Sequence, residues 1–248
     1  LNVKVYMNNI EKINFISNWI KDYAQKGNFS SLVIGISGGI DSAVTSALSA
    51  KTNIHTHVVT MPILDHQTLN NRGNNHVEWL KKNFSNITHH HIDLSGVFNE
   101  FKAELKNNNS EHGYANTQAR LRMTTLYQIA ASNNGIVVGT GNKVEDFGIG
   151  FYTKYGDGGV DISPIADCLK TEVWNMGKEL GIIQEIIDAD PTDGLWNDGR
   201  TDEQQVGLSY KEIEEAMLNE KSPNRQRYEE IRKNNIHKMI PIPVCKIS

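Results

Sequence analysis

The chain has 248 residues, 38% apolar and 22% charged, with a net charge of −4, which suits a single α/β domain and argues against binding nucleic acid through bulk charge. Two cysteines, Cys168 and Cys245, exclude a disulfide framework and argue against a Cys-rich zinc site. No apolar run is long enough to span a membrane and no leader-like segment opens the chain, so no membrane partner and a cytoplasmic location are expected.

Residues 9–24 place Ile10, Ile13, Ile16, Ile20 and Tyr23 at spacings of three and four, which predicts an amphipathic helix. Residues 31–36 are a short apolar run, read as a buried strand, and 41–51 form a helix. A strand at 54–61, a helix at 74–83, a strand at 87–94 and a helix at 96–106 follow. Residues 107–113 read as polar loop, 117–132 as helix and 135–140 as another buried strand. Near-continuous apolar strands alternating with helices predict a doubly wound, mostly parallel sheet with helices on both faces. Residues 141–168 are glycine-rich with few helix or strand signals. A helix at 170–180 stops at Gly181, residues 185–220 are strongly acidic, and a basic helix is expected at 223–235. No linker marks a second domain.

The sharpest local signal is Gly35-Ile36-Ser37-Gly38-Gly39-Ile40-Asp41-Ser42, between the first strand and its helix. Small residues let a ligand approach the backbone, and free amides at a helix start hold phosphate. The loop lacks the Gly-Lys-Ser/Thr of a Walker A motif. Asp41 inside an anion nest calls for a cation between it and phosphate, which points to magnesium. The plain alternative is a tight turn whose Asp caps the helix. The segment resembles the SGGxDS loop of the ATP pyrophosphatase superfamily, whose members activate an acid as its adenylate.

Further along, Gly139-Thr140-Gly141-Asn142-Lys143-Val144-Glu145 ends the fourth strand. In an open α/β sheet such a turn faces the crevice at the carboxyl ends of the strands, so Glu145 is a candidate second metal carboxylate or else a solvated surface residue. The loop 150–161 combines aromatics, Lys154, Asp157 and Asp161 with flexible glycines, which suits either a ring-and-anion site or simple packing.

The run FYTKYGDGGVDISPI at 151–165 resembles the signature of the ammonia-dependent NAD synthetase family. The segments QARLRMTTLY at 118–127, Leu169-Lys170-Thr171-Glu172-Val173, Asp190-Pro191-Thr192-Asp193 and the pair His237-Lys238 fit the same family in order. The resemblance spans about residues 10–240 and implies an adenine nucleotide alpha-hydrolase-like fold. It implies that Gly35 through Ser42, Thr140, Lys170 and Thr192 contact ATP, and that Asp41 and Glu145 hold magnesium. Arg120, Lys154, Asp161, His237 and Lys238 would contact deamido-NAD. Asp41 and Lys170 would serve the adenylation. Because ammonium must lose a proton before it attacks, Asp157 is the candidate acceptor. A homodimer is implied, with dinucleotide sites near the interface. Residues 61–73 lack the acidic pattern expected of the family, so no adenine contact is assigned there. No glutaminase domain precedes the synthetase region, so free ammonia is the expected nitrogen donor.

Segments 150–159 and 193–203 are expected to close over the adenylate. His89 and His91 share a strand face, as do His55 and His57, and both pairs are read as solvated strand positions rather than a metal site. Two other readings remain open: an adenylating enzyme with a different acid acceptor, and a nucleotide sensor without catalysis.

Overall fold

A computed structural model describes residues 7–63, 67–192, 194–196 and 200–247. Asp193 and residues 197–199 of the acidic stretch lie outside the described residues, as do 64–66. Strands β1 (Ser31–Gly35), β2 (His55–Thr60), β3 (Ile87–His91) and β4 (Gly135–Val137) form one parallel sheet in the order β3-β2-β1-β4. Chain order reverses between β1 and β4. A ligand crevice is therefore expected at the carboxyl ends of these two strands.

Helices α1 (Asn9–Lys26), α2 (Ile40–Lys51), α3 (Gln67–Asn83) and α6 (Lys170–Leu180) contribute to one core, built around Leu32, Ile34, Ile20, Val44, Leu80 and Met176. Helices α4 (Ser95–Glu104) and α5 (Glu111–Ser132) cover the other face, where Val33, Val59 and Val137 meet Phe98, Met123 and Leu126. Alternate residues of β1 enter the two cores, as strand pleating requires. Each fully buried aliphatic side chain contributes roughly 1.5–3 kcal/mol.

A π-helix spans Lys143–Ile149. Helices α7 (Gln184–Ile187), α8 (Asp202–Val206), α9 (Tyr210–Leu218) and α10 (Arg225–Met239) complete the described chain. The π-helix, α8, α9 and α10 share a third core around Val144, Ile149, Ile213 and Tyr228.

The strands expected at 87–94 and 135–140 are shorter than predicted, ending at His91 and Val137. Residues 111–113, predicted as loop, are helical: the Ser110 hydroxyl accepts from the Gly113 amide and caps α5 six residues earlier than expected. The glycine-rich 141–168 region holds the π-helix, which no α-helical period could reveal. Helix α6 agrees with its predicted bounds and ends at Gly181, whose φ of 73° suits a residue without a Cβ. Among the described residues no helix is long and apolar enough to cross a membrane.

One contact sets the geometry of the site. Gly177 of α6 lies against α2, so close that a Cβ there would stand 2.7 Å from Ile40 Cδ1 and 3.3 Å from Val44 Cγ2. This approach brings the first residue of α6, Lys170, to the first turn of α2, which carries Asp41.

Candidate active site

The turn after β1 is a concave loop of backbone amides. Gly38 adopts φ +84° and Gly39 precedes α2 with no side-chain cap, which leaves the first-turn amides of α2 without a capping acceptor. Two serines brace the loop internally. Ser42 Oγ accepts from the Ser37 amide at 3.2 Å, donates to the Gly39 carbonyl at 3.0 Å and lies 3.0 Å from Ser37 Oγ. Helix α3 supports it from outside, since a Cβ on Gly38 would lie 2.6 Å from the Leu69 carbonyl oxygen.

The turn after β4 meets this loop directly. Asn142 is fully buried and caps the π-helix: its Oδ1 accepts from the amides of Val144 at 2.9 Å and Glu145 at 3.0 Å. Its Nδ2 donates to Asp41 Oδ1 at 2.9 Å and to Glu145 Oε2 at 2.8 Å. Lys170 Nζ completes the bridge, donating to Asp41 Oδ2 at 2.5 Å and Glu145 Oε1 at 2.7 Å. The Lys170 ammonium group thus joins the two turns through both carboxylates.

Lys170 is 2% exposed and its Nζ lies over the rings of Tyr210 at 4.8 Å and Trp174 at 5.7 Å. Burial pushes its ammonium toward the neutral form, but Asp41 and Glu145 outweigh burial and hold its pKa above the usual lysine value. Burial raises the pKa of Glu145, against the pull of Lys170. The Tyr210 hydroxyl donates to Glu145 Oε1 and contacts Asp202 Oδ2 at 3.0 Å; burial, Glu145 and Asp202 push its pKa up.

Asp41, Glu145, Lys170 and Asp202 line one cavity, together with Gly35, Ile36, Ser37, Gly39, Ile40, Ser42, Thr140, Asp157 and Thr192. Gly38 sits behind the loop, against α3. Asp157 Oδ1 accepts from the Thr153 amide at 3.0 Å. Asp146, also in the wall, is held well above the ordinary carboxylate range by burial and then by the negative charges of Asp157 and Glu145.

The residues expected at the dinucleotide do not enter this wall. Arg120 donates through Nε and Nη2 to the Lys154 carbonyl at 3.3 Å, and Lys154 Nζ to the His237 carbonyl at 3.0 Å. Lys238 Nζ donates to the Tyr152 carbonyl at 2.9 Å. Asp161 accepts from the Val137 amide at 2.7 Å and from the Tyr127 hydroxyl at 2.9 Å. Beside them a shallower depression is lined by Tyr127, Gln128, Tyr155 and Gly159. Tyr155 there is exposed with φ 64°, an uncommon conformation for a residue with a Cβ.

Asn142 and Tyr210, which bond the cluster from behind, were not identifiable as site residues from sequence, and neither were Asp146, Arg72, Met61, Pro62 and Ile63, which line the cavity. An Asn following a strand end was the one available signal, as a helix cap. His89 and His91 converge as expected, both on Thr60 Oγ1, at 2.9 and 3.0 Å.

The carboxylate pair fits magnesium by donor chemistry. Magnesium is held by one or two carboxylates together with substrate phosphates rather than by an all-protein cage. Asp41 and Glu145 are two hard oxygen donors on the cavity wall, beside the amide loop, and the described residues include no cluster of three or more metal-binding side chains.

The profile of a family described as NAD synthase matches residues 12–246. The chain is 37% identical over 253 residues to an NH(3)-dependent NAD(+) synthetase of Alkaliphilus oremlandii, covering 96% of this chain and 98% of that one. The homologue of the same name from Carboxydothermus hydrogenoformans is 37% identical, with 84% and 85% covered. A solved structure described as NMN synthetase from Francisella tularensis superposes with a TM-score of 0.89 at 32% identity, covering 98% of this chain and 100% of that one. By the match along nearly its whole length, the chain belongs to the NAD synthase family.

Proposed function

We propose that the protein converts deamido-NAD to NAD, using ATP and ammonia. The carrying observation is the Asp41–Asn142–Glu145–Lys170 cluster, which ties the amide loop after β1 to the turn after β4 inside one cavity. A nicotinate carboxylate oxygen attacks the α-phosphorus of ATP, and the bond to the bridging oxygen breaks to release pyrophosphate. The amides of the 35–42 loop receive the phosphate charge, and Lys170 places a fixed positive charge beside them. Thr140 and Thr192, in the lining of the same cavity, contact the nucleotide. Magnesium, held by Asp41 and Glu145, supplies charge neutralisation at the phosphate oxygens when bound. Ammonium gives a proton to Asp157, the resulting ammonia attacks the acyl carbon, and the nitrogen of the adduct releases a second proton to solvent. AMP leaves with the electron pair of the broken C–O bond. Fixed donors at developing charge are typically worth about 3 kcal/mol each.

Ammonia as donor rests on the names of relatives such as those from Alkaliphilus and Carboxydothermus. A cytoplasmic location fits two free thiols and the supply of ATP. The test is incubation with deamido-NAD, ATP, magnesium and ammonium. NAD, AMP and pyrophosphate are expected in equal amounts, and pyrophosphate release that does not depend on the acid would overturn the reading.

The 32% identity to the Francisella protein favours a second reading, in which the acid amidated is a mononucleotide. The ratio of kcat/KM for deamido-NAD and nicotinate mononucleotide decides between them. The first reading expects the dinucleotide to be preferred by about tenfold or more, since contacts beyond the mononucleotide add binding energy.

The dinucleotide site is read as lying near a homodimer interface. Support comes from Val97 and Phe101 on α4 and Tyr127 on α5, apolar or aromatic side chains 55%, 40% and 38% exposed on packed helices. Phe101→Glu is expected to halve the mass seen by sedimentation velocity while leaving the circular dichroism unchanged. A mass unaltered by this change, or a wild type that is monomeric, removes these helices from the interface.

A further inference from the structure

Among the described residues, Arg72 is a buried cation without an ion-pair partner in the cavity wall. The residue is 9% exposed, its Nε has no hydrogen-bond partner, and it lines the same cavity as Asp41. Among the described residues no side chain lies within ion-pair distance of its guanidinium; Glu185, itself bonded to Asn75 at 3.0 Å, and Asp190 act on it only at longer range. Burying a charge without a partner is costly, so its retention calls for an anion that arrives from outside.

Position identifies the anion. Arg72 Cβ lies 3.4 Å from where a Cβ on Gly38 would be, so its segment of α3 stands directly against the amide loop. Lys170 cannot supply the missing charge alone. It is shared between two carboxylates, which leaves that cluster with a net negative charge in the ionised state. A tri- or tetra-anionic chain beside it needs another cation, and a guanidinium fork matches two phosphate oxygens at once.

We propose that Arg72 binds the β- and γ-phosphates of ATP and retains them as the departing pyrophosphate. The proposal rests on the adenylation reading, because only that reaction separates this pair of phosphates from AMP. No bond of Arg72 itself forms or breaks: the P–O bond cleaved is between the α- and β-phosphates, and Arg72 neutralises charge on the leaving side.

The experiment compares Arg72→Met and Arg72→Lys with the wild type, measuring inhibition by pyrophosphate and by AMP. In Arg72→Met the pyrophosphate inhibition constant is expected to rise roughly 10- to 100-fold, the range of a lost charge-assisted pair. The AMP constant should stay within about twofold, since AMP lacks these phosphates. Arg72→Lys should fall between. Arg72→Met should melt no lower than wild type without ligand, because no protein partner is orphaned. Parallel shifts for pyrophosphate and AMP, no shift for either, or a destabilised Arg72→Met would overturn the proposal. Calorimetric titration of the wild type and Arg72→Lys with magnesium pyrophosphate needs no turnover. It therefore judges Arg72 even if deamido-NAD proves not to be a substrate.

Discussion

Replacing Lys170 by Met is expected to abolish NAD formation, by a factor of at least ~10³, and to lower stability by about 3–5 kcal/mol. The second effect comes from what remains. Asp41 and Glu145 would face one another across Asn142 with no positive charge between them, on a wall where their side chains are only 16% and 15% exposed. Asn142 could still donate one bond to each, but an amide does not offset a second negative charge. The triple variant Lys170→Met, Asp41→Asn, Glu145→Gln separates the two effects. With all three charges gone, most of the lost stability should return while activity stays absent, because matched neutral groups leave no charge unpaired. Urea unfolding followed beside the NAD assay gives both readouts. Full stability in the single variant, or no recovery in the triple one, would show that the ammonium is not what joins the two turns. Asp41→Asn alone leaves Lys170 paired with Glu145. It should therefore cost little more than about 1 kcal/mol in folding, while lowering kcat roughly 10²- to 10³-fold.

Gly38→Ala should be nearly as damaging to turnover, for a steric reason. At φ +84° an alanine carries about 1–2 kcal/mol of backbone strain. Its Cβ would also stand 2.6 Å from the Leu69 carbonyl oxygen and 3.1 Å from the Gly73 amide nitrogen, both backbone atoms of α3 that cannot swing aside. Either the loop or α3 must shift. A displacement of about 1 Å at a phosphate site costs ~10²-fold in kcat/KM. Gly181→Ala is the control: its φ is +73°, yet nothing lies within 4 Å of the added Cβ. It should lower stability by about 1–2 kcal/mol with kcat/KM for ATP unchanged. Equal kinetic losses in the two variants would assign the Gly38 effect to strain rather than to contact.

Much of the fold can be read residue by residue. Apolar continuity marks β1, β-branched residues mark β2, and Gly181 marks the end of α6. The convergence of Asp41 with Glu145 follows from two strand-end turns and the sheet's reversal of order, both accessible to a reading of pattern. Tyr210 is another matter. It reaches Glu145 from 65 positions further on, and its own neighbours in sequence advertise only an acidic, capped helix. Arg72 is hidden for a similar reason: an arginine within a polar helix reads as solvated until packing of α3 on Gly38 shows that it is buried. The start of α5 was missed because Asn and Gly113 weaken helix propensity where a Ser110 cap restores it. For the five residues expected at the dinucleotide, the resemblance assigned a role without showing that Arg120, Lys154 and Lys238 spend their polar groups on backbone carbonyls.

The turn Lys143–Ile149 has a consequence for comparing chains across the family. Its bonds run five residues apart, so it accommodates one more residue per turn than the ladder beside it. Deleting a single residue between Glu145 and Gly150 would rewind it to the commoner pitch while leaving Glu145 capped by Asn142. Asp146 would then swing away from Gly141, where its carboxyl now fills the room a methyl would need. Chains shorter by one at this point should accordingly tolerate Ala or Ser in the place of Gly141, whereas chains of equal length should not.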